Sequence, residues 1–295
     1  MNTHCNPSRA WGRWLCSVKG LRAGVLALAG LLATQAVLAE PDSERAGDWA
    51  SRLDPAQLQG GLRSASFYAG YHTLSGLQPD WRETGLRGQY AWRGHQIAGE
   101  LFTARRWGED GSYLGLQDTL TLGPGLWGSL ALGAGDRVSY LPHYRIDAFV
   151  HRKFGDEQRL VGSLGLGHYR AHDRHEDQTL TLGLTYWFEA PWVLQGEWRQ
   201  NQSHPGSIDT RQYALAATWG QAGQTQYTLR HAWGREGYQV LGGGRVITAF
   251  DSHETLLTVQ HWMAPDWGLR LGVSRYINPD YRRQGLELSV FKAWP

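Results

Sequence analysis

Three short stretches of this sequence carry residue types that could do chemistry. His168, His172 and His175 lie among Asp173, Glu176 and Asp177, donors of the kind that hold zinc. No second cluster along the chain would complete the geometry, so the stretch reads as a solvated polar loop and no metal is expected. Ser203 and His204 place a nucleophile beside a base. Neighbouring side chains rarely face one another, and no third residue at a recognisable spacing would orient the histidine, so no catalytic residue is expected. Gly242-Gly243-Gly244 follows no strand-to-helix pattern and reads as a hinge rather than a phosphate cradle.

A fourth set is dispersed. Glu83, Arg87, Glu100, Arg145, Asp147, Glu197, Arg199, Arg230, Glu254, Arg270 and Glu287 alternate with apolar neighbours along extended stretches. If those stretches are strands, the charges share one face of a sheet. Arg87, Glu100, Arg145, Asp147, Glu197, Arg199, Arg230 and Arg270 are then candidates to line an interior. Such a set has two readings: a polar pathway that selects a solute, or a network of ion pairs that fills a closed interior.

The elements that must position these charges have a period of two. Leu180, Leu182 and Leu184 alternate with Thr179, Thr181 and Gly183, and Leu269, Leu271 and Val273 alternate with Arg270, Gly272 and Ser274. Tyr144, Ile146, Ala148 and Val150 alternate with Arg145, Asp147, Phe149 and His151. Period alone cannot separate a soluble sandwich, apolar side in, from a membrane barrel, apolar side out.

The N-terminus marks a secreted chain, for which the choice lies between a soluble β protein and a membrane β-barrel. Arg9, Arg13, Lys19 and Arg22 precede the apolar run Ala23 to Val37, and Val37-Leu38-Ala39 before Glu40 fits small-residue cleavage, so residues 1–39 read as a secretory signal. Both cysteines fall inside it, leaving a mature chain with no thiol chemistry. It also carries four of the 29 basic residues and none of the 27 acidic ones. The mature chain is therefore near neutral, and nucleic acid is not an expected partner. Residues 40–60 are polar and read as a short periplasmic segment.

Residues 61–295 read as an all-β, antiparallel up-and-down barrel of about fourteen strands in a bacterial outer membrane. Strands are expected to begin near Ser64, Trp81, Gln96, Ser112, Leu126, His143, Arg159, Asp177, Trp192, Thr210, Gln224, Ser252, Trp267 and Tyr281. Alternate connections are tight, such as Gly94-His95 and Gly123-Pro124-Gly125. The opposite ones read longer, the longest being Glu236 to Phe250, which would either fold into the mouth or form a surface epitope. Aromatics fall at both strand ends and read as two membrane girdles: Trp92, Trp127, Trp187, Trp192, Trp219, Trp262, Trp267 and Trp294 at the inner end, and Tyr71, Trp81, Trp107, Tyr113, Tyr144, Tyr169, Trp233, Tyr276 and Tyr281 at the outer. The last strand, with Gly285, Leu288, Val290 and Trp294, resembles the C-terminal signal by which the barrel-assembly machinery recognises such proteins.

Tyr144-Arg145-Ile146-Asp147, the strand Leu180 to Trp187, Trp233-Gly234-Arg235-Glu236, and Trp267-Gly268-Leu269 through Tyr276 resemble the YaiO family of outer-membrane β-barrels. The resemblance spans about residues 61–294. It implies a role in export of exopolysaccharide or another surface polymer, with outer-membrane lipid, lipopolysaccharide and a polysaccharide export apparatus as partners. It supplies no cofactor and no catalytic residues. A porin-like or gated conduit is thus expected, against a plugged interaction barrel and, third, a lipid- or glycan-modifying enzyme.

Overall fold

The computed structural model describes residues 63–76, 78–189, 191–241 and 244–294. The expected signal with its Ala39–Glu40 cleavage point, the segment 40–60, Gly242 and Gly243 lie outside them. Fourteen strands follow in order: β1 (Arg63–Leu74), β2 (Trp81–Trp92), β3 (His95–Arg106), β4 (Glu109–Gly123), β5 (Leu126–Gly135), β6 (Pro142–Phe154), β7 (Leu160–Ala171), β8 (Glu176–Trp187), β9 (Trp192–His204), β10 (Ile208–Gly220), β11 (Thr225–Val240), β12 (Val246–Ala264), β13 (Trp267–Ile277) and β14 (Arg282–Trp294). Each pairs antiparallel with its neighbours, and β14 pairs with β1 from Arg63↔Trp294 to Leu74↔Arg283, closing the barrel. Closure leaves no edge and pairs the backbone polar groups where lipid offers no alternative.

Alternation assigns the faces. Leu286, Leu288 and Val290 are exposed on the outer surface, while Glu287, Ser289 and Phe291 are buried inside, and the other strands follow the same parity. Two hairpins are as tight as a chain can make them. Arg93 and Gly94 at the inner end, and Trp107 and Gly108 at the outer, all have positive φ, the signature of a type I′ turn matched to strand twist.

The inner rim, which carries both ends of the barrel chain, has its girdle: Trp92, Trp192, Trp219, Trp267 and Trp294 are exposed to the outside. Trp127 and Trp262 instead point inward. The expected outer girdle is largely overturned. Tyr71 and Tyr144 do face out, but Trp81, Trp107, Tyr113, Tyr169, Tyr276 and Tyr281 are buried. Trp81 shares the face of Glu83, and Tyr276 that of Arg270, so the pleat carries both rings into the lumen.

The expected asymmetry between short and long connections is also weaker than the sequence suggested. The stretch Glu236 to Phe250 is mostly strand: β11 runs to Val240 and β12 starts at Val246, paired as Tyr238↔Thr248 and Val240↔Val246. It is a hairpin that outgrows the barrel wall. Of its two expected fates, folding into the mouth is what the structure shows.

Candidate functional site

The interior divides into a packed side and an open side. On the packed side, formed by β1–β4 and β12–β14, Arg87 donates to Glu100 at 2.7 Å and lies 3.4 Å from Glu287, with its guanidinium 3.8 Å from the centre of the Tyr68 ring. Arg106 pairs with Glu83 at 2.9 Å, and Arg270 donates to Gln260 at 2.8 Å. Glu254 lies 3.8 Å from Arg230 and 3.6 Å from Arg283, whose side chain is wholly buried between Trp81 and Tyr276. Ions this deep must be paired, because removing one partner strands a charge.

Lumenal glycines let aromatic rings lie flat on the wall. A Cβ at Gly85 would meet the Tyr68 ring at 2.6 Å, one at Gly165 the Phe149 ring at 2.1 Å, and one at Gly268 the Phe291 ring at 2.5 Å. These glycine–aromatic pairs sit opposite one another across adjacent strands, Tyr68↔Gly85, Phe149↔Gly165 and Gly268↔Phe291.

The open side lies against β6–β11. Two cavities are stacked there. The lower, about 40 Å³, is lined by His151, Ser163, Thr181, Thr185, Gln195, Glu197 and Arg230, and the upper, about 20 Å³, by Arg145, Asp147, Tyr169, Asp177, Thr179 and Arg199. Phe149 and Thr181 border both, so the two form one eccentric lane. At these volumes the lane holds a few water molecules. Its charges are paired: Arg145 donates to Asp147 at 2.5 Å and Arg199 to Glu197 at 3.1 Å, each within one strand, and Arg230 on β11 lies 3.8 Å from Glu254 on β12. What remains on the walls is hydroxyl, amide and aromatic surface.

A polar knot roofs the lane. Asp177 accepts from Ser203 Oγ at 2.5 Å and from Asn201 at 3.1 Å, and its other oxygen lies 2.8 Å from His175 Nε2. The β11–β12 hairpin crosses above this knot. Gly237 passes so close that a Cβ there would lie 2.2 Å from Ser203 Oγ, and the Tyr238 ring stacks on His175 at 3.8 Å. Beyond, Gln239 donates to Tyr281 at 2.6 Å and accepts from Asn278 at 3.0 Å. Leu241 at the tip enters an apolar cluster with Trp81, Trp107, Tyr113, Tyr140, Leu141, Tyr276 and Tyr281. Trp107 meets Trp81 edge-on at 4.9 Å and Tyr281 at 5.5 Å from its turn of positive φ, an unusual setting for so bulky a residue. The hairpin therefore spans the outer mouth from the lane to the packed side, as a lid.

All eight candidate lining residues point inward, but into two groups. Arg145, Asp147, Glu197, Arg199 and Arg230 border the lane, whereas Arg87, Glu100 and Arg270 belong to the packed side. Sequence reasoning missed Arg106, Arg283 and Glu236 as interior charges, although their parity with Ala104, Gly285 and Gly234 would have placed them there. Of the C-terminal set, Gly285 is lumenal beneath His72, and Leu288, Val290 and Trp294 face outward.

The histidine cluster does not converge. His168 lies 3.2 Å from the Tyr144 hydroxyl, His172 stacks on His143, and His175 turns inward. Among the described residues no group of three His, Cys, Asp or Glu side chains is placed to hold a metal ion. Ser203 and His204 occupy opposite faces of β9, and the His204 ring lies 3.4 Å from the Ser207 hydroxyl. The Ser203 hydroxyl meets a carboxylate rather than an imidazole, an order unlike that of a nucleophile activated by a base.

A family model described as the YaiO membrane beta barrel domain matches residues 63–239. Among solved structures, the chain is similar to the CymD monoaromatic hydrocarbon channel, at 7% identity and TM-score 0.55, over 88% of this chain and 96% of that one. It also resembles the anion-selective porin from Comamonas acidovorans, at 11% identity and TM-score 0.46, over 79% and 98%. A third is the outer-membrane protein Omp33 of Acinetobacter baumannii, at 9% identity and TM-score 0.47, over 78% and 99%. At these identities the likeness is one of fold. No curated protein matches the sequence.

Proposed function

The chain belongs to the YaiO family of membrane β-barrels and is a protein of the bacterial outer membrane, and from that premise we propose that it is a gated conduit. Its path is the lane along β6–β11 and its gate is the β11–β12 hairpin. The observation that carries this reading is the eccentric lane itself: two cavities in line, ending beneath a hairpin that rests on the lane's roof through Tyr238 and His175.

The lining points to uncharged, hydroxyl-rich solutes. Arg145–Asp147 and Arg199–Glu197 cancel locally and Arg230 faces Glu254, while Ser163, Thr179, Thr181, Thr185 and Gln195 offer hydrogen bonds, and Phe149, Tyr169 and Trp187 offer ring faces. Sugar segments of an exported surface polymer are the form of solute that agrees with both this lining and the family resemblance. The closed lane is far smaller than the ~300–1,000 Å³ of pockets that hold organic ligands, so passage requires the lid to lift.

The competing reading is a plugged interaction barrel, favoured by the ion pairs of the packed side. Single-channel recording of the refolded residues 40–295 in a planar bilayer separates the two. A conduit gives small, intermittent current steps of weak ion selectivity, and Arg199→Glu shifts that selectivity towards cations. Silence that persists after the hairpin is shortened between Gln239 and Ile247 would leave the plugged barrel standing.

A further inference from the structure

Asp118 stands on the wrong side of the wall. Its neighbours by parity, Leu114, Leu116 and Leu120, are exposed on the membrane-facing surface, and Asp118 lies among them while Gln117 and Thr119 are buried inside. Its pairing with Ile97 and Leu130 places it two residues from Leu120, which sits opposite His95 at the inner rim. A carboxylate at the edge of hydrocarbon is costly and marks a site rather than a filler. Its side chain is half-exposed: Oδ2 lies 2.8 Å from His95 Nδ1 on the accessible side, while Oδ1 is turned into the wall.

The same residue borders a groove of about 510 Å³ on the outer surface, lined by Ile97, Leu116, Leu120, Leu130 and Leu132. Its floor is open at Gly128, where a Cβ would already touch Leu122 and the Phe149 carbonyl at 3.4 Å. The cavity is thus an apolar trough with an acidic end, placed at the inner leaflet.

We propose that this groove is a binding site for one bilayer phospholipid with an amine headgroup, its ammonium on Asp118 and one acyl chain in the trough over Gly128. Charge complementarity selects this occupant: a phosphodiester is common to both headgroups, and the amine adds a cation to meet the carboxylate where glycerol brings none. The site lies on the outer face of the wall, shares only Phe149 with the lining of the lane, and includes no residue of the lid.

The test uses the mature barrel extracted from membranes in mild detergent, with retained lipid measured by mass spectrometry. The delipidated protein is then titrated with phosphatidylethanolamine and phosphatidylglycerol of matched chains. The wild type should retain about one amine-headed lipid per barrel and prefer it by roughly two- to fivefold, the range one partly screened charge pair supports. Asp118→Asn should erase the preference while keeping acyl retention, and Gly128→Leu should abolish retention of both, with heat-modifiable gel mobility reporting that each variant is folded. Equal retention of the two lipids by the wild type, or a preference that survives Asp118→Asn, overturns the proposal. So does a lipid-free groove in a protein that elutes as a dimer, because a second copy would then be the occupant.

Discussion

Replacing Leu241 by alanine should open the lid without unmaking the barrel. Leu241 is 1% exposed at the hairpin tip, inside the cluster of Trp81, Trp107, Tyr140 and Tyr281. Truncating a buried leucine costs about 2–5 kcal/mol, and here the loss falls on the docked hairpin, because an undocked one already exposes the side chain. The pairing of β11 with β12 does not involve that side chain and should persist. The ties that remain include the Tyr238–His175 stack at 3.8 Å and the buried hydrogen bond that Tyr276 donates to Glu236 at 2.8 Å. The two hydrogen bonds of Gln239 contribute about 1 kcal/mol each, and the exposed Arg245–Asp280 pair contributes little. A loss of about 3 kcal/mol raises the open-to-closed ratio roughly a hundredfold, since each 1.4 kcal/mol is a factor of ten. A lid open about one part in a thousand would then be open about a tenth of the time. Open probability in single-channel recordings reads this directly, with gel mobility as the control for folding. A folded Leu241→Ala protein whose open probability matches the wild type would refute the assignment of the hairpin as gate.

Glu100→Ala should destabilise the barrel by about 1.5–3 kcal/mol, since it removes the nearer carboxylate of the buried Arg87, at 2.7 Å, and leaves it Glu287 at 3.4 Å. Urea unfolding followed by tryptophan fluorescence measures this, and a loss below 1 kcal/mol would show that water reaches that side. Gly165→Ala forces the Phe149 ring off the wall and into the lane, costing about 1–3 kcal/mol and lowering conductance. Adding Phe149→Ala should restore both, a coupling that a double-mutant cycle quantifies.

How much of this was legible in the sequence varies with the length scale of the cause. Strand positions are local: turn residues and a two-residue period mark them, which is why Trp81, Leu126, Trp192 and Trp267 open strands where the sequence places them. The face of each charged candidate follows from the same parity. The outer aromatics were misplaced because their position near strand ends was weighed above their parity, which sets Trp81 with Glu83.

By itself, then, the sequence determined a closed antiparallel barrel with charges inside and leucines outside, since alternation is a property of neighbours along the chain. Tertiary structure alone decided which arginines would be packed and which would border a passage. Arg87 and Arg199 read alike as residues, yet Arg87 reaches Glu287, 200 positions away, while Arg199 folds back on Glu197 beside a cavity. The fate of the Glu236 to Phe250 stretch was settled in the same way. Its docking depends on Tyr281, Trp81 and His175, which only barrel closure brings to one rim, and no spacing along the chain encodes that distance.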